Sequence, residues 1–195
     1  MKLKGPHRYG TFRDVIRNNV VFVFGTGGDA DENAWSFNKA RFDAERFWYQ
    51  GNGSVEVLAD TECAAPVAGK RNVLLYGNAS TNRLWKILLG DSPVQVRTSG
   101  IEVGGKRFTG GNLSCVFVRP GKESGSGTIG VVAGTGIIGM RATNKMPYLL
   151  PGIGFPDLLI TRSSTLTRGE DGLVGTGLFG DDWSVEEGEF EWGNE

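Results

Sequence analysis

The chain has one histidine, His7, and two cysteines, Cys63 and Cys115, in 195 residues. A lone imidazole and the lack of any C-x-x-C unit remove the usual anchors of a transition-metal site, and no metal is expected. For nucleophilic catalysis His7 would have to fold back as the base, so it reads more simply as a surface or packing residue. The two thiols define no disulfide: Cys115 lies in an apolar run as a core thiol, and Cys63 lies in a loop-like stretch.

Several motifs are also missing. There is no G-x-S-x-G elbow, no G-x-x-x-x-G-K-[ST] loop, and no third glycine after Gly25-Thr26-Gly27, where Ala30 stands instead. Asp29 and Asp31 would repel a pyrophosphate at that turn, so no cofactor is expected. A magnesium site built from carboxylates such as Asp60, Glu62, Asp181 and Asp182 has no specific signature.

No apolar run approaches the length that spans a bilayer, and a net charge of −1 gives no broad footprint for nucleic acid or anionic membrane. Neither is expected as a partner. No apolar h-region follows the basic start, so the chain as given is expected to be cytoplasmic, although a longer parent protein could be exported. Lys2, Lys4, Arg8, Arg13 and Arg17 crowd the beginning, and seven acids, Asp181 included, crowd the region from Asp181 onward; both ends read as solvated.

What is abundant is glycine, 31 residues placed at the ends of apolar runs rather than as low complexity. Val20 to Phe24 runs into Gly25-Thr26-Gly27-Gly28, Asn72 to Tyr76 into Gly77-Asn78-Ala79-Ser80-Thr81, and Ile129 to Ala133 into Gly134-Thr135-Gly136. Each reads as a buried strand leaving through small residues into a helix. The spacing predicts helices over 32–50, 81–89 and 137–149. The first has a buried stripe of Phe37, Ala40, Ala44, Phe47 and Trp48. Strands are predicted at 54–58, 94–97, 101–103, 106–108, 115–119, 128–133, 157–161 and 173–179, with a hairpin at Gly104-Gly105. The loop 120–127 is too short for a crossover helix, so the strands it joins should be antiparallel.

The expected architecture is a three-layer, Rossmann/flavodoxin-like α/β fold. Its sheet is mixed but mostly parallel, with helices on both faces and an inserted hairpin. We divide the chain into a lead-in (1–19), one domain (20–185) and an acidic tail (186–195).

Parallel strands deliver their exits to one rim, where glycines admit a ligand and helix N-termini offer free N–H groups. Thr26, Gly27, Gly28, Asn78, Thr81, Thr135 and Gly136 are the candidate ligand-binding residues for a small molecule. Asp60, Cys63, Ser80, Asp181 and Asp182 are the candidates for catalysis, with Thr26 and Thr135 near helix starts that would stabilise an oxyanion. Arg41, beside Asp43, Glu45 and Arg46, reads as a solvated helix surface. Trp35, Trp48, Trp85 and Trp183 read as packing, with Trp183 able to line a groove.

A set of segments runs through nearly the whole chain: Gly5-Pro6-His7-Arg8-Tyr9-Gly10, Glu32-Asn33-Ala34-Trp35, Ala40-Arg41-Phe42-Asp43-Ala44-Glu45, Tyr49-Gln50-Gly51-Asn52-Gly53-Ser54, Leu75-Tyr76-Gly77-Asn78-Ala79-Ser80-Thr81-Asn82 and Gly180-Asp181-Asp182-Trp183-Ser184. Together they resemble the C-terminal region of large bacterial proteins, typical of planctomycetes, classed with prolyl-oligopeptidase-like α/β-hydrolases. The resemblance implies an appended α/β domain whose partner is a catalytic α/β-hydrolase domain. No triad residue carries over, because no position here matches one. The expected function is therefore an accessory or ligand-binding domain of a hydrolase; the alternative is a stand-alone ester, lactone or phosphotriester hydrolase using the strand-exit residues.

Overall fold

The computed structural model describes residues 3–6, 8–17, 19–51, 53–64, 71–122 and 127–193. In chain order the elements are β1 (Val20–Phe24), α1 (Ala30–Gly51), β2 (Glu56–Ala59), β3 (Asn72–Tyr76), α2 (Leu84–Leu89), β4 (Val94–Arg97), β5 (Gly100–Val103) and β6 (Lys106–Thr109). They continue with β7 (Leu113–Pro120), β8 (Thr128–Gly134), α3 (Ile137–Ala142), β9 (Leu158–Arg162), α4 (Thr165–Arg168), β10 (Leu173–Leu178) and β11 (Glu189–Trp192). Eight strands form one sheet in the order β11-β10-β9-β7-β8-β3-β1-β2, and β4-β5-β6 form a separate three-stranded sheet.

This corrects the expected fold class. β2, β1, β3 and β8 are parallel neighbours, with Phe22 opposite Val57 and Leu74, and Leu74 opposite Gly130. From β8 outward through β7, β9, β10 and β11 every pairing is antiparallel, so antiparallel pairings outnumber parallel ones and the sheet is not of the Rossmann/flavodoxin type. Connection length explains the change. α1 and the long segment between β3 and β8 provide crossovers, whereas β7 to β8, β9 to β10 and β10 to β11 are joined by segments that only return the chain beside itself.

Alternation within the strands assigns the layers. Phe22, Leu74 and Gly130 share one face; Tyr76 on that face sends its hydroxyl to Asp43 of α1, and Val15 of a 3-10 turn (Phe12–Ile16) lies against Gly130. α3 packs beside α1 and against β7 and β8. Phe117, Val131 and Leu75 face the other way, where Trp85 of α2 meets Phe117 edge-on at 5.9 Å. The small sheet contacts β7 and β8 and is tied to α2 by Trp85 Nε1 donating to Gln95 at 3.0 Å. Its Gly104-Gly105 turn takes φ of 52° and 87°, the left-handed pair that a two-residue hairpin demands.

Four local expectations change. α1 buries Trp35, Ser36, Lys39, Ala40 and Asp43, whereas Phe37 and Trp48 are exposed. The small residues admit close approach to the sheet, and the two charges pair. The helix expected to reach Leu149 stops at Ala142, with a 3-10 turn to Lys145, because Pro147 forces Met146 to an extended ψ of 129°. The supposed acidic tail contributes strand β11, paired with β10 from Leu178 opposite Glu189 to Gly175 opposite Trp192. The lead-in is not solvated either: Lys4 N–H donates to the Asp181 carbonyl at 2.7 Å, and Phe12 and Val15 are fully buried.

Candidate functional site

Parallel strands bring the exits of β1, β2, β3 and β8 to one edge of the sheet, hereafter the upper edge. There the Thr26 hydroxyl donates to Asp60 Oδ1 at 2.7 Å, and the Arg83 N–H donates to Asp60 Oδ2 at 2.7 Å. Gly27 N–H donates to the Thr81 carbonyl at 2.9 Å, and the Asn78 side-chain amide donates to the Gly134 carbonyl at 2.8 Å. Thr81 Oγ1 accepts from Asn78 N–H at 2.9 Å, and Thr135 Oγ1 accepts from Leu113 N–H at 3.2 Å. Gly25 is needed for the fit, since a Cβ there would strike the Thr81 carbonyl. The structure thus gathers Thr26, Gly27, Asn78, Thr81 and Thr135, but as stitches between loops.

The start of α1 is closed by its own acids. Asp29 Oδ1 accepts from Glu32 N–H at 2.9 Å while Glu32 Oε2 accepts from Asp29 N–H at 3.2 Å, a reciprocal capping box. The Asn33 side chain takes both the N–H and the carbonyl of Gly28 at 2.9 Å. The Gly27, Gly28, Asp29 and Glu32 N–H groups of this turn are engaged, and negative charge already sits at the positive end of the helix dipole. Gly136 lies near the Gly111 carbonyl, 3.2 Å from where its Cβ would be.

The candidates for catalysis do not converge. Asp60 is buried with both carboxylate oxygens bonded. Cys63 is buried, and burial pushes its thiol up despite Arg71, the opposite of what activates a nucleophile. Ser80 is exposed, its N–H donating to Asn78 Oδ1 at 2.9 Å. β10 runs opposite to β1, β3 and β8, so Asp181 and Asp182 lie at the lower edge, where those strands begin. The expectation of one common rim is therefore corrected. His7 lies outside the described residues.

Two clusters escaped the sequence reading. Beneath α1, Lys39 Nζ lies 2.7 Å from Asp43 Oδ1, and Asp43 Oδ2 accepts from Tyr76 at 3.1 Å and Tyr148 at 2.5 Å. All four residues are buried. Burial lowers the Lys39 ammonium against the pull of Asp43, and burial followed by the Asp43 charge raises both phenols well above 10.0. Only the i,i+4 spacing of Lys39 and Asp43 hinted at this, and it also describes a solvated pair.

The second cluster closes the lower edge. Asp157, fully buried, accepts from Lys4 Nζ at 2.7 Å, Thr11 N–H at 2.5 Å and Phe179 N–H at 2.9 Å. Asp14, also buried, accepts from Gly10 N–H at 2.9 Å; burial raises its carboxyl, and the Asp157 charge adds to the rise. Arg119 stacks 4.5 Å over Phe179 and donates to the Trp183 carbonyl at 2.6 Å, while burial lowers it to about 10. Trp183 holds a left-handed φ of 67°. Beside this cluster Leu3, Tyr9 and Leu178 floor an open groove of ≈ 580 Å³.

No family model matches the chain. An uncharacterized secreted protein of Arthroderma benhamiae is 24% identical over 132 residues, covering 65% of this chain. The match spans 14% of that relative's own length. Because that relative is secreted, the cytoplasmic expectation is withdrawn. Among the described residues no helix is long and apolar enough to cross a membrane.

Proposed function

We propose that this chain is an accessory α/β domain of a larger exported protein, serving an attached hydrolase domain rather than performing acyl transfer itself. The observation that carries this reading is the stitched upper edge. Thr26, Asp60, Asn78 and Thr135 join separate strand exits and loops. A nucleophile needs an adjacent base and an oriented third group; Thr26 has Asp60 beside it, but the other Asp60 oxygen is held by the Arg83 N–H and no described side chain supplies an imidazole, which supports the accessory reading. Two further observations support the reading: the 14% coverage of a secreted relative, and the sequence resemblance to a region appended to α/β-hydrolases.

The test is an assay of the purified chain on ester, lactone and phosphotriester substrates, with Ser80→Ala, Cys63→Ala and Asp60→Asn beside it. No turnover by any of them is expected. Turnover abolished by one of these substitutions would replace the accessory reading with the stand-alone hydrolase.

A further inference from the structure

The lower-edge groove has a composition that selects its occupant. Its floor presents three large apolar side chains to solvent: Leu3 is 56%, Tyr9 49% and Leu178 41% exposed. Asp181, Asp182, Glu187 and Glu189 also line it. Among the described residues of that lining Lys4 is the one cation, and its ammonium is engaged by Asp157 at 2.7 Å and the Phe179 carbonyl at 2.6 Å. Beside the lining, the Arg17 guanidinium lies 4.7 Å over the Tyr9 ring, donates to its hydroxyl and pairs with Asp14 at 3.5 Å. Among the described residues no ion pair uses any of the four acids, and Asp182 accepts from Ser184 N–H at 2.8 Å. The Ser184 contacts hold the Asp182 carboxyl below its ordinary range, so it stays charged.

We infer that this groove docks a basic peptide segment of a partner protein, one in which Lys or Arg flanks a leucine or aromatic side chain. Charge complementarity decides the sign: four carboxylates outnumber the nearby cations, of which Lys4 is engaged by Asp157, Arg17 by Asp14 and Arg119 by the Trp183 carbonyl, so the groove attracts cations and repels nucleic acid and anionic lipid headgroups. The apolar floor decides the size. An inorganic cation gains nothing from Leu3, Tyr9 and Leu178, whereas a side chain laid between two cationic neighbours covers them. This inference concerns a different edge from the stitched rim and stands or falls independently of the accessory reading.

Fluorescence anisotropy with the labelled peptide Lys-Leu-Arg-Phe-Lys and the full chain tests it. Saturable binding that weakens between low salt and 0.5 M salt is expected. The double variant Asp181→Asn/Glu187→Gln should weaken binding by on the order of tenfold, and Leu178→Ser by roughly threefold to fivefold. An equal loss of charge elsewhere, in Asp31→Asn/Glu45→Gln, should leave affinity unchanged, and Glu-Leu-Glu-Phe-Glu should not bind. Thermal midpoints and circular dichroism of each variant confirm folding. Absence of binding, equal loss in both double variants, or binding of the acidic peptide would each overturn the inference.

Discussion

At the upper edge of the sheet the bonds that run from one strand exit to another use threonine hydroxyls, asparagine amides and backbone groups, with Asp60 the carboxylate that joins Thr26 to Arg83. At the lower edge the corresponding closure uses Lys4, Asp14, Asp157 and Arg119, all largely out of solvent. Neutral stitches are individually worth about 1 kcal/mol and fail independently, whereas a buried charge that loses its partner retains its whole desolvation cost. The difference teaches that the two edges should fail differently. The upper should tolerate the loss of a neutral stitch, whereas the lower should lose more with each broken charge pair and respond to pH through Asp14.

The strongest way to break this contrast is Asp157→Ala. It strands the Lys4 ammonium, whose side chain is 12% exposed, and orphans two backbone donors, so a loss of about 3–5 kcal/mol is expected in urea unfolding. A cost no larger than that of an upper-edge stitch would erase the distinction.

The core cluster under α1 extends the comparison to alkaline pH. Tyr76 and Tyr148 keep their protons in the folded chain above 10.0, where unfolded phenols lose them. The folded state then binds more protons, and their stabilising contribution, full below pH 10, is lost as pH rises. The slope is up to about 1.4 kcal/mol per pH unit for each tyrosine. Lys39, lowered by burial, works with the opposite sign as pH rises towards 10.5, since its folded form is relieved of its proton first. Phenolate absorbance from Tyr76 and Tyr148 should appear only together with unfolding, and Tyr148→Phe should reduce the alkaline loss.

Gly25→Ala probes the upper edge by overpacking, because the added methyl meets the Thr81 carbonyl rather than a flexible side chain. A loss of about 1–3 kcal/mol is expected, equal at pH 5 and pH 8. Asp14→Asn sharpens the pH side of the contrast. The raised Asp14 carboxyl penalises the folded chain once it ionises, and the penalty disappears as pH falls towards 3.8. Relative to the natural chain the variant should gain stability between pH 4 and pH 7, read from urea unfolding at both values. Arg41→Ala is the low end of the scale: its 3.5 Å pair with Glu45 is more than half exposed, and a change under about 0.5 kcal/mol is expected.

Much of the element order is readable from residues alone. Val20–Phe24 and Asn72–Tyr76 are uninterrupted apolar runs closed by glycine, and Gly104-Gly105 marks its own turn. Strand direction was less visible. The reasoning that made β7 and β8 antiparallel applies equally to the short segment between β9 and β10, but the glycine exits of β1, β3 and β8 drew attention to parallel order. In Glu189-Phe190-Glu191-Trp192 the charges hid an alternation that pairs fully with β10. The candidate rim was legible as a place but not as a state, because nothing local says whether Thr26 meets Asp60 or a ligand. The lower edge was illegible, since Lys4 and Asp157 lie 153 residues apart and each alone resembles a surface charge.

That separation sets a timetable for biosynthesis. During translation Lys4 has no companion until Asp157, Phe179 and Asp181 have left the ribosome tunnel. The segment around Lys4 is therefore made well before its anchors, and nascent chains stalled before Phe179 should leave that segment untethered and open to proteases and chaperones.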